Sequence, residues 1–164
     1  MSILEGLGAA GVTVVSTVAR EFSETAMTDI LIVDDNVAFR KTLKHIILSR
    51  FASCRVSEAE DGQSAFRKTG EESPALIFMD LRLPGENGLQ LTKRIKASFP
   101  HVAVVMLTNL DGPEYREAAA ESGADCFLSK KTSSASEVLE SVEAVCTQPG
   151  DTLPGGKNRN GKAL

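Results

Sequence analysis

Residues 30–36 read Ile30-Leu31-Ile32-Val33-Asp34-Asp35-Asn36, a continuous apolar run stopped by two acids. A run without polar alternation fits a strand covered on both faces, as strands in parallel sheets are. The pattern recurs along the chain. Leu76-Ile77-Phe78-Met79 leads into Asp80, and Val102-Ala103-Val104-Val105-Met106-Leu107 leads into Thr108. Cys54-Arg55-Val56 and Cys126-Phe127-Leu128 are shorter candidates, the second running on to Lys130.

Helical patterns lie between these runs. Phe39, Leu43, Ile46 and Ile47 share one helix face, and Leu91 with Ile95 another, with Lys93, Arg94 and Lys96 turned away. Tyr115, Ala118 and Ala119 mark a third face, and Val138, Leu139, Val142 and Val145 a fourth. Asn36 and Asp61 suit helix N-caps. Gly112-Pro113 puts proline at a first helical position, and Ser134 to Glu137 has capping-box spacing. The order is βαβαβαβαβα, which predicts a parallel sheet with right-handed crossovers and helices on both faces.

In such a sheet the strand ends gather on one edge, where ligands bind. That edge receives Asp34 and Asp35, Asp80, Thr108 and Lys130. Carboxylates about 4 Å apart at an effective dielectric of about 20 repel by roughly 4 kcal/mol per pair. A cation must offset this, or a carboxyl must stay protonated. Oxygen ligands without thiol or imidazole point to Mg²⁺, Mn²⁺ or Ca²⁺, and Mg²⁺ commonly bridges one or two carboxylates to a phosphate. A nucleotide site would need a neutral glycine- or hydroxyl-rich loop after the first strand; here that loop is acidic. Taken alone, Asp34 and Asp35 read as helix-capping acids. Their convergence with Asp80, Thr108 and Lys130 favours a functional site.

Composition narrows the classes further. The chain has 164 residues, 42% hydrophobic and 24% charged, with a net charge of −4, an ordinary balance for one globular domain and not the basic one of a nucleic-acid binder. The cysteines Cys54, Cys126 and Cys146 form no CxxC pair, so zinc is not expected; free thiols suggest a reducing cytoplasm. Leu7 to Ala19 is too short to span a membrane and lacks the basic flank of a signal peptide. Residues 1–28 are an N-terminal extension whose structure the sequence leaves open, 29–147 form the domain, and 148–164, rich in Pro, Gly and Asn, are an expected flexible tail.

These pieces carry a family resemblance over about residues 28–147. Leu31 to Asn36, Met79-Asp80-Leu81-Arg82-Leu83-Pro84-Gly85-Glu86-Asn87-Gly88, Leu107-Thr108 and Gly123 to Lys130 resemble the receiver domain of bacterial two-component response regulators. The gaps are 45 residues from Asp35 to Asp80, 28 from Asp80 to Thr108 and 22 from Thr108 to Lys130. The resemblance implies a flavodoxin-like (βα)5 sandwich with strand order 2-1-3-4-5. It implies that Asp80 accepts a phosphoryl group from a phosphohistidine on a sensor histidine kinase or phosphotransfer protein. Asp34, Asp35, Asp80 and the carbonyl of Arg82 would hold Mg²⁺. Lys130 and Thr108 would bind the phosphoryl oxygens, and the Phe127 rotamer would follow Thr108. The domain would be a switch that assists its own phosphorylation and dephosphorylation rather than an enzyme.

Further expectations follow. The family often has a cis proline after the lysine; Lys131 stands there, and a cis bond without proline costs about 2.5–4 kcal/mol, so a trans loop is expected. Arg82 and Leu110, each two residues past a site residue, are expected to slow loss of the phosphoryl group. Pro84-Gly85 reads as a turn, and Arg40, Lys41, Lys44 and His45 as a solvated helix face. The favoured output is control of a downstream protein target by a single-domain regulator, monomeric or weakly dimeric, without contact to nucleic acid or membrane. The alternatives are the receiver portion of a longer DNA-binding regulator and a scaffold that is never phosphorylated. A haloacid-dehalogenase type of phosphatase needs a second acid two residues after its nucleophile, and position 82 is Arg.

Overall fold

A computed structural model describes residues 27–147. The expectations for residues 1–26 and 148–164 lie outside the described residues. Strand β1 spans Asp29–Val33, β2 Arg55–Ala59, β3 Leu76–Met79, β4 Ala103–Thr108 and β5 Cys126–Ser129. Helix α1 spans Val37–Arg50, α2 Gly62–Glu72, α3 Gly88–Ser98, α4 Pro113–Glu121 and α5 Ala135–Thr147. The strands form one parallel sheet in the order β2-β1-β3-β4-β5, the flavodoxin-like arrangement.

Alternation along β1 assigns the two faces. Ile30 and Ile32 join Leu43 and Ile47 of α1 and Val138, Val142 and Val145 of α5 in one core. Leu31 and Val33 join Ala65 of α2, Leu91 and Ile95 of α3 and Ala119 of α4 in the other. Both faces of the sheet are therefore dry, which explains the unbroken apolar runs.

The expected caps form. Asn36 Oδ1 accepts from the Phe39 amide and Asp61 Oδ1 from the Ser64 amide. Pro113 opens α4, and Ser134 and Glu137 exchange capping-box bonds. Gly85 has φ of +78°, the left-handed conformation the Pro84-Gly85 turn requires.

Several readings need correction. Cys54 precedes β2, its amide donating to the Phe51 carbonyl in a turn. β2 instead extends through Ser57 and Glu58 to Ala59, because an edge strand tolerates polar residues that a central strand does not. Val102 is buried but precedes β4. Lys96 does not turn away: its ammonium reaches the Val102 carbonyl and the Asp125 carboxylate. Arg40 is not on a solvated face. It is 8% exposed, whereas Lys41 and His45 are exposed as expected.

Candidate phosphoacceptor site

The chain leaves β1 toward β2 through α1 and returns to the other side of β1 as β3. The site lies at this reversal of strand order, where open α/β sheets bind ligands. The register pairs Val33 with Met79, so the residues that follow, Asp34 and Asp80, emerge side by side. The Asp80 amide donates to the Val33 carbonyl at 2.9 Å, extending the ladder to the acid itself. On the far side, the Lys130 amide donates to the Thr108 carbonyl at 2.9 Å.

Carboxylate oxygens of Asp34, Asp35 and Asp80 lie within 4.8 Å of one another. Asp34 is 2% exposed, Asp80 is 8% exposed and Asp35 faces solvent. Among the described residues this is the group of acids whose ligand atoms converge in this way. An all-oxygen donor set with one wet member fits a hard cation that keeps several waters, and so fits Mg²⁺.

Asp34 is held at each polar atom. Oδ1 accepts from the Asn36 amide at 2.8 Å, and Oδ2 accepts from the Lys130 ammonium. Its main-chain carbonyl accepts from the Arg40 guanidinium at 2.6 Å. Arg40 also pairs with Glu58 of β2, which is why it is buried. Sequence reasoning placed Arg40 outside the site. The usable signal was its position in the first full turn of α1, where side chains lean back toward the helix start and hence the strand edge.

Asp80 has fewer partners. Oδ1 accepts from the Leu81 amide at 2.9 Å, and Lys130 Nζ stands 3.7 Å from Oδ2. Burial pushes the Asp80 carboxyl above its ordinary pKa; Lys130 opposes that rise, Asp34 adds to it, and the Thr108 hydroxyl opposes it. Thr108 itself is buried, its Oγ1 accepting from the Leu110 amide at 3.3 Å.

The loop after Asp80 is pinned by a bridge between Arg82 and Asn87 and by the Gly88 amide donating to the Leu81 carbonyl at 2.9 Å. A Cβ on Gly88 would stand 2.2 Å from the Asp80 carbonyl oxygen, so only glycine permits this approach. Gly88 was visible in the sequence, yet nothing there signalled the contact. Exposed Arg82 and half-buried Leu110 line one hollow with Leu83 and Tyr115 at the mouth of the site.

Phe127 is half-buried beside the second core, with the Arg116 guanidinium 4.7 Å from its ring centroid. No cis peptide bond occurs among the described residues. The Lys131 amide donates to Ser129 Oγ, and the Ser129 hydroxyl donates to Asp111, an amide use closed to proline. Cys54 and Cys126 are buried thiols in no disulfide, their pKa pushed up to about 12 and about 11, first by burial; Cys146, also in no disulfide, is half-buried.

Comparisons with known proteins agree with this fold. The chain is 35% identical over 119 residues to the transcriptional regulatory protein LnrK of Bacillus subtilis, covering 73% of this chain and 54% of that protein. It spans about half the length of the curated relatives it matches. The response regulator domain of Thermotoga maritima CheB superposes with a TM-score of 0.67 at 31% identity, covering 74% of this chain and 98% of that one. A CheY-like receiver domain protein from Methanospirillum hungatei gives 0.68 at 24% identity, over 76% and 97%, a likeness of fold. The family model for the response regulator receiver domain matches residues 30–143, most of the chain and all strands but the first residue of β1, and the chain belongs to that family.

Proposed function

We propose that this domain is a phosphorylation switch in a phosphorelay, with Asp80 as acceptor. The observation that carries the reading is Asp80, buried and raised in pKa, set beside Lys130 and two further carboxylates. A carboxylate Oδ of Asp80 attacks phosphorus. The N–P bond of a phosphohistidine on a sensor histidine kinase or phosphotransfer protein breaks, and the imidazole leaves with the bonding pair. The attacking group must be ionised, and burial opposes that; Lys130 favours the charged form. Asp34, Asp35, Asp80 and the Arg82 carbonyl would hold Mg²⁺, which would supply charge neutralisation at the phosphoryl oxygens. Lys130 supplies a second positive charge, and Thr108 a hydroxyl for the new anion.

The added charge then recruits Thr108 and Lys130, with Phe127 following, and the altered face controls a downstream protein. The same residues assist loss of the phosphoryl group to water. Arg82 and Leu110 shield it, and Arg82→Ala or Leu110→Ala is expected to shorten its lifetime; an unchanged decay refutes that role. A cytoplasmic location accords with partners of this kind, and no helix among the described residues is long and apolar enough to cross a membrane.

A second reading is the receiver portion of a longer DNA-binding regulator. It is favoured by relatives described as transcriptional regulators, of which this chain spans about half. The chemistry at Asp80 is the same in both. Incubation with a small acyl-phosphate donor, read by intact mass, tests it. One phosphoryl group added only with Mg²⁺ supports the switch; no addition to folded protein, from this donor or from phosphohistidine, refutes it.

A further inference from the structure

Phe39, in the first full turn of α1, brings its ring to the lysine of the site. Lys130 Nζ lies 4.1 Å from the centroid of its ring, well inside the range of a cation–π contact. The same ammonium bonds Asp34 and stands 3.7 Å from Asp80 Oδ2. The Lys130 side chain is 9% exposed, so the contact is largely shielded from water, where such contacts are strongest. The backbone that carries the ring is tied to the acid. The Asn36 amide donates to Asp34 Oδ1, and Asn36 Oδ1 accepts from the Phe39 amide. One short chain of bonds thus ties the Asp34 carboxylate to the backbone that carries the ring.

We propose that Phe39 is a positioning residue for Lys130, holding the ammonium at the phosphoacceptor edge through the face of its ring. The inference rests on the phosphorylation reading and deepens it. In the unloaded site the ammonium has Asp34 as its main partner. A cation taken up by the three acids competes for that carboxylate, and the ring is the partner that no metal can take. The ring therefore matters more when Asp34 is engaged, which makes its effect one on the transfer step and not on folding alone. An aliphatic residue of similar size fills the space without attracting the charge.

The test replaces Phe39 with phenylalanines carrying one, two and three ring fluorines, which drain the negative ring face at nearly constant shape. Phe39→Leu and Phe39→Trp complete the series in the full chain. The rate of phosphorylation by a small acyl phosphate at saturating Mg²⁺ is expected to fall stepwise with fluorination. The total is about 2- to 30-fold for Phe39→Leu, with Phe39→Trp retaining the wild-type rate. The ¹⁵N shift of the Lys130 ammonium in metal-free protein should move stepwise in the same series. In a Lys130→Met background the fluorine series should be silent. A flat fluorine series in folded protein, or an equal loss in the Lys130→Met background, overturns the proposal. Absence of phosphorylation in wild-type protein instead refutes the function on which it rests, and the ¹⁵N series still decides the contact.

Discussion

Replacing Lys130 by Met removes the ammonium shared by Asp34 and Asp80 and keeps an unbranched apolar stem. The two carboxylates are both under a tenth exposed, with ligand oxygens within 4.8 Å. At that separation and an effective dielectric of about 20 they repel by roughly 3.5 kcal/mol. Breaking a buried ion pair from one side typically costs about 3–5 kcal/mol, a similar figure. Metal-free Lys130→Met at pH 7 should therefore lose about 3–5 kcal/mol in urea unfolding, or roughly 10–20 °C in Tm. The loss should respond to two further conditions. Mg²⁺ should stabilise the variant more than the wild type, because it replaces the missing charge. Lower pH should also narrow the gap. Asp80's folded pKa is already raised by burial, and Lys130 opposes that rise, so the variant's carboxyl takes up a proton more readily. A proton taken up in the folded state stabilises it as pH falls through that pKa. A loss below about 1 kcal/mol at pH 7, unchanged by Mg²⁺ or by pH 5, would show that Lys130 does not balance these acids.

Other expectations concern neighbouring residues. Asp80→Asn in metal-free protein should raise stability at pH 7, because it removes a carboxylate whose ionised form is disfavoured by burial. The sign follows from a raised folded pKa: wild type gains on the variant as pH falls through it, so the advantage should fade with acid in paired melting curves. Gly88→Ala should cost about 1–3 kcal/mol and slow phosphorylation, since the added methyl displaces the Asp80 carbonyl. Wild-type melting and rate would show that the loop yields freely.

Much of the fold is legible because β1, β3 and β4 are covered on both faces and so must be apolar throughout. Their polar ends then mark the site edge without further information. β2 is less legible, since an edge strand carrying Arg55, Ser57 and Glu58 has no such constraint. Arg40, Phe39 and Lys96 were misjudged or only half read for another reason. Each has a long or broad side chain whose body packs while its polar tip or ring face reaches a partner distant in sequence. Helical periodicity says which side such a residue leaves from, and not what its end touches. Gly88 is invisible for a different reason: its role is a close approach to the Asp80 carbonyl within one loop, and that depends on how the loop closes.

The most direct measurement is to locate the phosphoryl group. An aspartyl phosphate is reduced by borohydride to homoserine, which peptide mass mapping places in the sequence. After incubation with an acyl-phosphate donor and Mg²⁺, homoserine is expected at position 80 and not at 34 or 35. Homoserine at another acid, or none in protein that gains phosphate, would contradict the assignment of Asp80.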